Sequence, residues 1–123
     1  MPDWNDKQPI FQQIKELIEK QILLGVWPES CALPSVRSIA ADMKINHLTV
    51  MKAYQLLVAQ QLIEKKRGQG MYVLPGAIEK LKIDKKQQFL SQEIPRIVQM
   101  LKCIDMPWND FTKALKKQIE EDQ

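Results

Sequence analysis

Two short helical segments that follow one another almost without a break constrain this chain more than any other feature. In the first, "SVRSIAADMKI", Ser35 can cap the helix, and apolar residues recur at helical spacing. The second, "NHLTVMKAYQLLVAQQ", is longer, and Asn46 can cap it. Only about three residues, "KIN", lie between the two. Two helices joined by so short a turn are typical of a helix-turn-helix unit.

The residues around this unit predict a helix before it and a hairpin after it. The segment "PIFQQIKELIEKQILLG" has its isoleucines on one helical face. Further on, "LIEKK" and "GMYVL" are too short for helices, and the "RGQ" between them predicts a β-hairpin. Pro75 and Gly76 end the hairpin and predict a domain boundary. The predicted fold class is mainly α, with a winged helix-turn-helix domain over residues 1–75 whose wing has two β-strands.

The remaining residues, 76–123, are predicted to form a two-helix tail. Pro95 lies inside the first helix and should kink or split it, and Asp105 or Pro107 begins the second. The two helices carry more apolar surface than they can hide against each other, which favours homodimerisation through this tail. The alternative is that they pack back on the winged helix. The apolar residues concerned are Ile94, Ile97, Val98, Leu101, Trp108, Phe111 and Leu115.

Composition narrows the classes of function. The net charge of +3 and the 45% apolar content are ordinary for a soluble protein, so a nucleic-acid site has to be argued from local arrangement. Cys31 and Cys103 have no metal or disulfide-framework spacing and are expected to be reduced. We find no nucleophile–base pair, paired carboxylates or metal spacing, and therefore expect no enzyme activity, cofactor or metal. The N-terminus "MPDWNDKQ" lacks the apolar stretch of a signal peptide, and a cytoplasmic location is expected.

The run from Leu33 to Val73 resembles the DNA-binding domain of GntR-type bacterial transcription regulators. The family pattern is Leu-Pro-Ser-x-Arg, a short helix, a turn, a Thr-Val recognition helix that ends before Leu-Ile, and a Gly-x-Gly wing. It is matched here by Leu33–Arg37, Asn46–Tyr54, Leu62-Ile63 and Arg67–Gly70.

The same resemblance has one departure and one extension. Glu29 and Ser30 stand where the family usually carries Pro-Gly, so the turn of this loop falls outside the resemblance, although the DNA-facing residues do not. A short helical tail is similar to that of the YtrA subfamily, in which the tail serves for dimerisation.

Helix geometry indicates which side of the second helix faces DNA. Its buried face is expected to be Val50, Tyr54, Leu57 and Val58, so the opposite side of its first turns presents the candidate DNA-binding residues. The resemblance implies base or phosphate contacts at four of them, Asn46, His47, Thr49 and Lys52, but not at Leu48. That residue occupies a position where the family varies, so we expect it to set the sequence preference. The candidates are Asn46, His47, Leu48, Thr49 and Lys52.

Two further groups are expected to bind the DNA backbone. Ser35 opens a helix whose N–H groups can bind phosphate, and Arg37 adds charge in a role carried over from the family. The alternative is that Arg37 pairs with Asp42 or makes a local cap. The wing tip is expected to contact phosphates or the minor groove. Its candidate residues are Lys66, Arg67, Gly68, Gln69 and Gly70.

The predicted function is a sequence-specific DNA-binding transcription regulator, a repressor that binds a pseudo-palindromic operator as a homodimer. Double-stranded DNA and a second copy of the chain are the expected partners. No membrane partner is expected, and the sequence names no small-molecule effector. The alternative is a winged-helix module for protein contacts without specific DNA binding, in which the charge of the wing only aids solubility.

Overall fold

A computed structural model describes residues 4–123, so the first three residues of the predicted DNA-binding domain lie outside the described residues. The chain divides into two compact units, one reaching to Ile83 and the other spanning Asp84–Gln123. No helix within residues 4–123 is both long enough and apolar enough to cross a bilayer.

The first unit has the predicted order of helices and strands. Three helices come first, a two-stranded antiparallel sheet follows, and a further helix begins before the unit ends. The elements are α1 (Ile10–Leu23), α2 (Val36–Met43), α3 (His47–Ala59), β1 (Ile63–Lys66), β2 (Gly70–Val73) and α4 (Ala77–Gln88).

The core of this unit lies where α1 and α2 pack against α3. Apolar residues of α1 recur every fourth position, and on α3 the buried positions are Val50, Ala53, Tyr54 and Leu57. Val58 was expected in this buried face, but it is 40% exposed. The reason is geometric, because Val58 follows Leu57 by 100° around the helix and lies past the edge of the packed stripe.

The first turns of α4 belong to the same core. Ala77 and Leu81 are both buried there. The compact unit therefore runs past the boundary expected at residues 75 and 76, to Ile83. Where the functional domains divide stays a prediction.

The hairpin is closed by a turn that requires glycine. Ile63 pairs with Val73 and Lys66 with Gly70. The Gln69 N–H donates to the Lys66 carbonyl (2.9 Å), and Gly68, at the third position of this turn, has φ +76°. A side chain at that position would be strained, so the glycine predicted at the wing tip is needed for backbone shape.

The loop that departs from the family pattern forms an ordered turn. Ser30 takes the left-handed conformation (φ 66°) that a glycine would adopt more easily. Its N–H donates to the Val73 carbonyl (2.8 Å), and the Leu33 N–H donates to the Met71 carbonyl (2.8 Å). Residues 30–33 therefore run along the free edge of β2 and support the wing.

Glu29 in the same loop caps α4. One carboxylate oxygen accepts the Gly76 N–H and the other accepts the Ile78 N–H, both at 2.9 Å. These two backbone donors hold the pKa of Glu29 below its ordinary value. The side chain thus satisfies N–H groups that the start of a helix leaves without partners.

The second unit holds the end of α4, a π-helical segment and two more helices. The π-helical turn Phe89–Glu93 leads directly into α5 (Ile94–Cys103), and α6 spans Trp108–Glu121. Pro95 lies at the start of α5, where its missing N–H is accommodated by the wider turn before it. Pro107 precedes α6, as expected.

No side chain within residues 84–123 is buried. The apolar stripes of α5 and α6 are largely exposed, with Trp108 at 68% and Leu115 at 48%. These two helices therefore have no closed core within one chain.

Glu29→Gln is expected to lower the melting temperature at neutral pH, because one amide oxygen cannot accept from both backbone donors. The folded pKa of Glu29 lies below the unfolded value of about 4.3. The stabilisation is therefore fully present above that value and is lost as the pH falls through the folded pKa. Thermal unfolding followed by circular dichroism should show the difference from the unsubstituted protein shrinking in acid.

Glu64→Gln is the matched control, since Glu64 is an exposed carboxylate on β1. It should leave the melting temperature nearly unchanged at every pH. If Glu29→Gln lowers the melting temperature by the same amount in acid as at neutral pH, the result would contradict the role of the charged carboxylate.

Candidate nucleic-acid interface

The start of α2 is fixed by its own cap. The Ser35 hydroxyl accepts the Ser38 N–H at 3.0 Å, as its position before the helix predicts. Arg37 follows in the first turn, is exposed, and forms no ion pair with Asp42 or with any other residue in the range 4–123. The first turn of α2 therefore presents an unpaired cation next to backbone N–H groups.

The turn between α2 and α3 is short because one residue takes a left-handed conformation. Lys44 has φ 55° and ψ 47°, and the Ile45 N–H donates back to the Ala40 carbonyl at 3.0 Å. The chain then reaches Asn46, whose Oδ1 accepts the Leu48 N–H at 2.8 Å. This cap begins α3 directly beside α2.

The two helix starts share an open groove. Arg37 from α2 lines it together with Asn46, His47 and Leu48 from α3. Ala40, Ala41 and Ile45 line it as well. The structure therefore brings four of the predicted residues, Arg37, Asn46, His47 and Leu48, to one exposed surface.

A buried tyrosine fixes the two helices relative to each other. Tyr54 of α3 is 1% exposed, and its hydroxyl donates to the carbonyl of Pro34, just before the cap of α2. Burial raises the pKa of Tyr54, so the hydroxyl keeps the proton that it donates. The helical spacing of the sequence places Tyr54 in the core but does not indicate this bond, since its partner lies 20 residues away.

Lys52 projects from the same side of α3 and rests on an aromatic ring. Its ammonium lies 3.9 Å from the centroid of the Phe11 ring on α1. A cation over a ring face is attracted to it, which limits the positions that this long side chain samples. Thr49, also a candidate, is half-buried.

The wing residues form a separate group at the tip of the hairpin. Arg67, Gly68, Gln69 and Gly70 are exposed there. Lys66 is exposed as well, and its ammonium lies 4.4 Å from the centroid of the Tyr72 ring. The wing tip thus carries charge on a turn whose glycines leave the backbone accessible.

Met51, in the first turns of α3, was absent from the predicted set although its side chain is exposed. Met51 is 38% exposed and lies three positions after Leu48, which is 60% exposed. The signal was in the sequence, because positions three apart on a helix are neighbours and Met51 falls outside the buried spacing of α3.

Fold and surface together define a winged helix-turn-helix of the DNA-binding type. The family model described as "Bacterial regulatory proteins, gntR family" matches residues 10–73. The chain belongs to this family. GntR proteins are transcription regulators, and the match covers the whole stretch from α1 to β2.

Individual relatives agree with the family. The chain is 30% identical over 96 residues to the transcriptional repressor YtrA of Bacillus subtilis, covering 78% of this chain and 73% of that protein. This identity supports the prediction that the chain is a YtrA-like member of the GntR family. The chain spans only 14% and 15% of the length of two other curated relatives that it matches.

Solved structures agree as well. A GntR family transcriptional regulator from Listeria monocytogenes superposes with a TM-score of 0.76 at 26% identity, covering 93% of this chain and 98% of that one. The DNA-binding domain of AraR in complex with operator ORR3 superposes with a TM-score of 0.52 at 26% identity, covering 59% of this chain and 89% of that one.

Asn46→Ala is expected to lower the free energy of unfolding by about 1 kcal/mol, the usual cost of a lost N-cap. Asn46→Asp keeps an oxygen for the Leu48 N–H and should remain close to the unsubstituted protein. Urea denaturation measures both. Gln60→Ala, at the other end of α3, is the control and should change little. Equal stability of Asn46→Ala and the unsubstituted protein would show that the cap bond contributes nothing.

Proposed function

We propose that the protein is a cytoplasmic, sequence-specific repressor that binds a pseudo-palindromic operator as a homodimer. The observation that carries this proposal is the open groove in which Arg37 lies beside Asn46, His47 and Leu48. In helix-turn-helix proteins this part of the second helix reaches base edges in the major groove. The repressor name of the Bacillus subtilis relative and the operator bound to the AraR domain support the proposal.

The phosphate contacts are assigned to helix α2 and the wing. Ser35 uses its hydroxyl for the cap, so its contribution is to expose the N–H groups of the first turn to a phosphate. Arg37 adds a charge there, and Lys66 and Arg67 add charges at the wing tip. The turn around Gly68, together with Gln69 and Gly70, lets the backbone approach DNA closely. These contacts position the domain and carry little sequence information.

The base contacts are assigned to the first turns of α3. His47, Thr49 and Lys52 can donate to acceptors on base edges, and Leu48 can pack against a thymine methyl group. Asn46 is limited by its cap, because its Oδ1 already accepts the Leu48 N–H. Pairing with adenine through both amide atoms would require that bond to break. The remaining amide N–H groups can still donate to a base or a phosphate.

The tail is assigned to dimerisation. The exposed apolar stripes of α5 and α6 need a covering surface, and a second copy offers the same stripes. A two-fold interface uses the same patch on both subunits. Two recognition helices related in this way would read half-sites about 34 Å apart, one turn of DNA.

Fluorescence anisotropy with DNA from upstream of the protein's own gene tests the function. Binding there should be at least about 10³-fold tighter than to a scrambled duplex. Arg67→Ala should weaken both duplexes alike and lower the slope of log affinity against log salt by about 1. Lys20→Ala is the control, because it removes an exposed charge of α1 that belongs neither to the proposed phosphate contacts nor to the proposed base contacts. The absence of binding to either duplex at low salt would favour the protein-contact module instead.

Leu115→Glu is expected to convert the dimer to a monomer, measured by sedimentation velocity, because a charge would replace an apolar contact. Affinity for a two-half-site operator should then fall about a hundredfold or more, while affinity for a single half-site stays the same. Lys113→Glu places the same charge on the opposite side of α6 and should remain dimeric. A monomer mass of the unsubstituted protein that is independent of concentration would overturn the dimer.

A further inference from the structure

Two large apolar side chains adjoin each other on the outer side of α3. Leu48 is 60% exposed and Met51 is 38% exposed. Residues three apart on a helix are surface neighbours. The core takes the other side of α3, through Val50, Ala53, Tyr54 and Leu57, and therefore makes no use of this pair.

The surroundings of the pair are polar and cationic. Leu48 shares its groove with Arg37, Asn46 and His47. Lys52 is the next residue after Met51 and holds its ammonium over Phe11. An occupant of this surface must therefore offer small apolar groups set among negative charges.

Thymine in the major groove has this chemistry. Its C5-methyl group projects into the groove, and the phosphates of both strands flank it. A membrane surface offers negative charge above a broad apolar layer, which matches a helix with a whole apolar face rather than two adjacent side chains.

We propose that Leu48 and Met51 together read thymine by packing against C5-methyl groups, which makes Met51 a second specificity-determining residue. This rests on the proposed function and names the chemistry that its recognition helix reads. Leu48 is branched and has fewer rotatable bonds, whereas the unbranched Met51 can adapt to the position of the neighbouring base pair.

The test removes the methyl group from the DNA while keeping every base-edge hydrogen bond. Duplexes are enriched from a random library by binding to the full-length protein. The enriched sequence is then synthesised with deoxyuridine in place of each thymine in turn. At one or more positions the replacement should lower affinity about fourfold, the value of one buried methyl group.

Matched variants locate the effect on α3. Met51→Ala or Leu48→Ala should bind thymine and deoxyuridine duplexes alike at those positions. Gln55 is exposed and lies one turn further along α3. Gln55→Ala should therefore still bind the thymine duplex more tightly than the deoxyuridine duplex. Alanine favours helix, so the variants are expected to fold, and circular dichroism checks this.

Each outcome is informative. A library that yields no enriched sequence would sink the proposed function itself. An enriched duplex that is insensitive to deoxyuridine at every position would overturn only the reading of methyl groups. If Met51→Ala still distinguishes thymine from deoxyuridine at every position, the role of Met51 is overturned, and if both alanine variants do so, the methyl groups are read elsewhere on the protein.

Discussion

The proposed DNA-binding surface depends on the hydrogen bond from the Tyr54 hydroxyl to the Pro34 carbonyl. This bond joins the middle of α3 to the residue just before the cap of α2. The groove between Arg37 and Leu48 exists only while these two helices keep their relative positions. Burial makes this hydrogen bond costly to break, since an unmade bond would leave a buried hydroxyl without a partner.

The wing is held by a second set of hydrogen bonds, which come from the loop that contains Glu29 and residues 30–33. Residues 30–33 bond to β2, and Glu29 caps α4. The loop therefore holds both the strand that carries the wing and the start of the helix that follows it. A Pro-Gly turn would shape the backbone equally well but would supply no carboxylate. The departure from the family pattern at Glu29 and Ser30 thus adds two hydrogen bonds, at the cost of a left-handed serine.

Local sequence patterns were sufficient for most of the first unit, because its helices carry their own signals. Ser35 and Asn46 both cap as predicted, and the two short segments that flank "RGQ" marked the hairpin correctly. The main contact that the local patterns did not predict is between residues far apart in the sequence. The Glu29 cap joins residues 47 and 49 positions apart, which no local pattern encodes. Val58 was misassigned because one residue at the edge of a stripe is decided by packing. The DNA-facing assignments to single residues stay predictions.

The two units differ in how they are stabilised, and this bears on regulation. The first has a closed core around Ile14, Ile18 and Tyr54, whereas residues 84–123 bury no side chain. Short helices without packing are marginal in water, so α5 and α6 gain most of their stability from whatever covers their apolar stripes. In the proposed dimer the covering surface is a second tail, which also delivers the second recognition helix. Stability of the tail and affinity for a two-part operator would then rise together with protein concentration, without any ligand.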